Sequence, residues 1–189
     1  SPPARRRGRT SSSMIDFSRN HFALFGLPER LAIDAPALDA AYRRLQAEVH
    51  PDRHAADADA ERRVALQSSA RLNEAYGALK TPLTRAQYLL ALHAVDAIDE
   101  RDTSLDLDFL ERQLARREAA DAANAAADVD ALDALHAEAL AEVRALEATL
   151  ARDLDRDGAD FAAARPRVRE LAFLVRLADS LDAMIAAHD

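Results

Sequence analysis

Cysteine is absent, which excludes a disulfide framework, thiolate catalysis, and any zinc finger or iron-sulfur cluster ligated by the chain's own thiolates. Such a chain suits a reducing compartment. Tryptophan is absent too, and aromatic residues make up only 5%, pointing away from a sheet-rich fold. No apolar run approaches the roughly 18 to 20 residues of a membrane span, and no signal-peptide core follows the arginines near the start. A soluble, cytoplasmic protein without membrane contact is the expectation. Basic excess is lacking as well: a net charge of -8 argues against nucleic acid as a partner, because phosphate binding depends on a basic surface that releases counterions. Arg5, Arg6, Arg7 and Arg9 are the local exception, in a Ser/Pro/Arg segment before Met14. The plain reading of residues 1–13 is a misplaced start or leftover residues, the functional one a basic arm. Both leave them as a disordered tail outside the fold.

With 4 glycines and an abundance of Ala, Leu, Arg, Asp and Glu, the composition is that of long helices. His21 to Leu27 reads as a brief helix closed by Gly26 and Pro28. Asp34 then caps a second helix, with Pro36 in its first turn and Leu38, Ala41, Tyr42, Leu45 and Val49 at helical spacing. Pro51 stops it at His50. After a polar loop from Arg53 to Asp59, a third helix carries Ala65, Ser68, Ser69, Leu72, Ala75, Tyr76 and Leu79, antiparallel to the second. Pro82 opens a fourth.

Periodicity fades from Ala94 to Ser104, and residues 94–101 are assigned to a linker. Beyond it, Leu107, Leu110, Leu114 and Arg117 begin another helix, and an Asn-Ala-Ala-Ala-Asp break lies near residue 125. Leu132, Leu135, Ala139, Val143, Leu146, Leu150 and Leu154 form the seam of an antiparallel pair, ended by Gly158. The last helix runs to Ile185, with a kink or fresh start expected at Pro166. The fold class is therefore all-α. It comprises an N-terminal helical hairpin within residues 14–93 and a three-helix bundle over residues 102–189.

The informative motif is His50-Pro51-Asp52 between two amphipathic helices. A rigid turn there holds an imidazole and a carboxylate outward, and Pro51 removes backbone freedom that would blur their spacing. The plainer reading makes Asp52 a turn cap and His50 a helix-terminal histidine on the dipole. A rival chemical reading uses His50, Asp52 and His54 as metal ligands or an acid-base group in a metal-dependent hydrolase. Metal-binding helices place two histidines one turn apart on one face, however, and Pro51 interrupts the helix between these two. No phosphate-cradling loop or nucleophile elbow exists, so neither an enzyme nor a cofactor is expected.

With YRRLQAEVHPDR upstream, from Tyr42 to Arg53, and LNEAYGAL downstream, from Leu72 to Leu79, the motif resembles the J-domain of the DnaJ superfamily. HFALFGLP from His21 to Pro28 and TPLTRAQYLLALH from Thr81 to His93, followed by the Ala/Leu bundle, look like the HscB family of iron-sulfur cluster co-chaperones. The resemblance implies that a J-domain over residues 14–93 stimulates the ATPase of the DnaK-type chaperone HscA, while residues 102–189 bind the scaffold protein IscU. Chaperone binding then falls to His50, Pro51, Asp52 and Arg53, with Arg43 and Arg44 on the second helix beside Glu48. Arg53 stands where the family usually has lysine, which keeps the charge.

Carried over by position, the scaffold-binding residues are Leu110, Leu114, Arg117, Glu118 and Phe173. Helical spacing supports a common face for the first four. Glu111 stands where the family often has an apolar residue, and Ala115 where it has an acid. The plainer reading of Leu110 and Leu114 is ordinary bundle core. A J-domain protein serving a different client through its bundle is the remaining alternative.

Overall fold

The computed structural model describes residues 15–49, 59–97 and 105–188. Its elements are α1 (His21–Leu24), α2 (Ala35–Val49), α3 (Asp59–Lys80), α4 (Pro82–Leu92), α5 (Leu107–Ala125), α6 (Val129–Leu154) and α7 (Phe161–Ala186), with no strand among the described residues. The caps explain most of the boundaries. Side-chain oxygens of Asn20, Asp34, Thr81, Asp106, Asp128 and Asp160 each accept a hydrogen bond from a backbone N–H three residues on, satisfying donors that the first helical turn leaves orphaned.

α2 and α3 form the expected antiparallel hairpin, burying Leu38, Ala41 and Val49 against Leu72, Ala75 and Leu79. A polar ladder fixes its register: Tyr76 donates to Asp39 (2.8 Å), Tyr42 to Asn73 (2.8 Å) and Ser69 to Gln46 (3.2 Å). The two tyrosine rings stack with centroids 4.1 Å apart. α4 closes this unit through Arg85, a buried residue whose guanidinium donates to the carbonyls of Leu79 (2.9 Å) and Leu31 (2.6 Å). One buried cation thus joins the end of α3 to the segment before α2.

In the second half, α6 and α7 pair along their length and α5 lies across them. Ala120, Ala123, Leu132, Ala139, Ala178 and Leu181 make a separate small-residue core at the far end. At the near end the core is shared, with Leu89 and Leu90 of α4 in one cluster with Leu150, Leu154, Val168 and Leu171. Asp155 clasps the junction: its carboxylate accepts from the backbone N–H of Leu31 (2.5 Å) and Ala32 (2.9 Å). His93 stacks on Phe161 at 3.6 Å and reaches Glu29 at 3.3 Å. The start of the segment assigned to the linker is packed as well, since Ala97 is buried in the same cluster.

At Pro166 no fresh start occurs, and α7 runs unbroken through it. The proline has no N–H for the carbonyl of Ala162, but Ala162 is exposed and water can serve that oxygen.

Candidate functional surfaces

Two surfaces carry the residues singled out in the sequence. His50, Pro51, Asp52, Arg53 and His54 lie outside the described residues. Arg43 and Arg44 are exposed on α2, with Glu48 exposed one turn on.

The other surface is built on α5, where the helical period divides the side chains into two stripes. Phe109, Gln113, Ala120 and Ala123 are buried against the bundle. Between them Arg116 reaches across to α6 and donates through both terminal nitrogens to the Glu142 carboxylate, one bond measuring 2.9 Å. The hydrogen bonds from Arg116 hold the Glu142 carboxyl below its ordinary range, against an opposing effect of partial burial. The outer stripe contains Leu107, Leu110 and Leu114, which are 68%, 37% and 60% exposed, with Arg117 and Glu118 exposed beside them.

Phe173, on α7, is half-buried and meets Phe109 edge-on with centroids 5.7 Å apart. It lines a groove of about 290 Å³ between α5 and α7 together with Arg117, Gln113, Arg176, Leu177 and Met184. Arg117 and Phe173 are therefore brought together, and the two leucines sit on the adjoining face of α5. Leu107 is read in the sequence as opening this helix but not as a scaffold-binding candidate, although its spacing to Leu110 and Leu114 places it on the same stripe. Arg176 gave no sequence signal, because its place at the groove depends on how α7 packs against α5.

Residues 105–182 match the family described as the HSCB C-terminal oligomerisation domain. The chain is 49% identical over 172 residues to a co-chaperone protein HscB homolog of Burkholderia multivorans, covering 91% of this chain and 97% of that one. The chain belongs to the HscB co-chaperone family. An HscB homolog of Ralstonia nicotianae is 50% identical over 164 residues, which is 87% of this chain and 93% of its own length. The solved structure of HscB from Vibrio cholerae superposes with a TM-score of 0.79 at 32% identity, covering 90% of this chain and all of that one. The fold is accordingly the HscB one, with the N-terminal J-domain followed by the C-terminal helical bundle. Membership makes this a co-chaperone. No helix among the described residues is long and apolar enough to cross a membrane.

Proposed function

We propose that this HscB-family chain couples the ATPase cycle of a DnaK-type chaperone, HscA, to an iron-sulfur scaffold protein, IscU, in the cytoplasm. The observation that carries the reading is the exposed leucine stripe on α5, Leu110 and Leu114 with Leu107 one turn away, beside a groove holding Arg117 and Phe173. An apolar spot rimmed by charge is the usual anatomy of an interface anchor. Glu118 supplies part of that rim. At the other end, His50, Pro51, Asp52 and Arg53, with Arg43 and Arg44 on α2, are the residues that would meet the chaperone. The chain performs no chemistry itself in this reading. It is an activator of its partner's hydrolysis, built as a J-domain over residues 14–93, a linker over 94–101 and a scaffold-binding bundle over 102–189.

The test is the steady-state ATPase rate of HscA with this chain, with and without IscU. Stimulation by the chain alone and a further increase with the scaffold are expected. Asp52→Asn should abolish the stimulation while leaving circular dichroism and scaffold binding unchanged, because the motif is read as a solvated turn. Stimulation retained in that variant would remove the J-domain part of the reading.

A further inference from the structure

Gln113 is 2% exposed, and neither its amide nitrogen nor its amide oxygen has a hydrogen-bond partner among the described residues. A buried carboxamide without a protein partner carries a desolvation cost that no hydrogen bond among the described residues offsets. The position is on the inward stripe of α5, between Phe109 and Ala120, where an apolar side chain of similar volume would occupy the same space without that penalty. Gln113 also lines the groove between α5 and α7, alongside Phe173, Arg117 and Arg176. Both arginines are exposed, and neither has an ion pair among the described residues. The groove thus combines an apolar wall with two exposed cations and a buried amide, none of them paired among the described residues.

We infer that Gln113 turns into this groove when the scaffold protein docks and pairs with an amide group of that partner, either a main-chain peptide or a carboxamide. The inference rests on the proposed reading of α5 as the scaffold-facing helix. Its chemistry follows from what is unsatisfied. A carboxylate could only accept and an ammonium only donate, whereas an amide offers both at the spacing a glutamine presents. Once the partner covers the groove, the pair forms out of water, where a satisfied amide pair is strong and an orphaned amide costly. Arg117 and Arg176 at the same groove suit an acidic flank on the bound segment. Gln113 is then a residue that weakens the free protein and strengthens the complex.

Those opposite signs supply the test. Gln113→Met and Gln113→Leu, made in the full chain, remove the idle amide while keeping most of its volume. Melting is followed by circular dichroism, and affinity for purified IscU by calorimetry. The melting temperature should rise by about 2 to 4 °C while affinity falls about tenfold. Unchanged affinity in both variants, or a lower melting temperature in both, would overturn the inference. A purely structural glutamine would not give stabilisation together with weaker binding. If the unmodified chain fails to bind IscU, this inference and the reading beneath it fall together. If it binds, Leu110→Ala with Leu114→Ala weakens binding, and both Gln113 variants bind normally, only the role of Gln113 is overturned.

Discussion

Ala127 has a backbone φ of 52° and Ala94 one of 58°, a region that side-chain-bearing residues enter at a cost of about 1 to 2 kcal/mol. Both follow a helix end, where glycine is the usual occupant. At the first, the N–H groups of Ala127 and Asp128 bond back to the carbonyls of Asn124 and Ala123 at 3.1 and 2.9 Å, ending α5 just before Asp128 caps α6. Ala127→Gly should therefore raise stability by about 0.5 to 1 kcal/mol, the strain relieved exceeding the entropy that glycine adds to the unfolded chain. Thermal melting checks this, and a lower melting temperature would mean that the turn is not strained. The break near residue 125 was legible from composition, but its left-handed residue was not, since alanine is a poor marker for that geometry. Arg85 is a similar case. It stands inside the Thr81 to His93 signature, yet nothing in its spacing shows that it is buried with two carbonyl acceptors.

At the scale of elements, α5 shows where sequence periodicity stops being decisive. It carries two apolar stripes, and on hydrophobicity alone the three leucines would take the core. The bundle instead buries Phe109 and Gln113 in the first half of α5 and Ala120 and Ala123 in the second, where the small side chains pack with Leu132, Ala139, Ala178 and Leu181. Leu110 and Leu114 are not core side chains in the free protein, as their exposure shows. Replacing both by Ala should leave the melting temperature nearly unchanged, since exposed truncations usually stay within about 0.5 kcal/mol. Scaffold affinity should fall on the order of a thousandfold, each anchor being worth about 2 kcal/mol. Calorimetric titration with the scaffold checks the second part, and unchanged binding would displace the interface from this helix. The remaining helices were readable because their signals were redundant. Asp34 with Pro36, Thr81 with Pro82, and the long leucine seam of α6 each combine a start or stop with a period. Pro166 does not restart α7, because a proline early in a helix frees only a carbonyl that solvent can reach.

The whole molecule is more continuous than its sequence suggests. Fading periodicity after Ala94 reads as a boundary, whereas Ala97 is buried and Leu89, Leu90, Leu150, Leu154 and Leu171 share one core. Periodicity reports which face of a helix is apolar but not which distant helix will cover it. We expect residues 102–189 to fold in isolation around the separate alanine-rich core, yet to melt below the full chain because α4 no longer covers Leu150 and Leu171. Circular dichroism of that fragment is the check, and an unfolded fragment would place both halves in one indivisible core. The Asp155 clasp has a consequence for how two partners could be handled together. A floppy tether would let two bound proteins sample many separations, so that their effective concentration at each other's surface would fall steeply with tether length. Here the carboxylate on Leu31 and Ala32 and the stacked His93 and Phe161 join the segment before α2 and the end of α4 to the end of α6 and the start of α7, against which α5 packs. Under the proposed reading, a packed junction replaces that tether, so a partner on α5 and one on the hairpin are held within a narrow range of separations and each sees the other at a raised effective concentration.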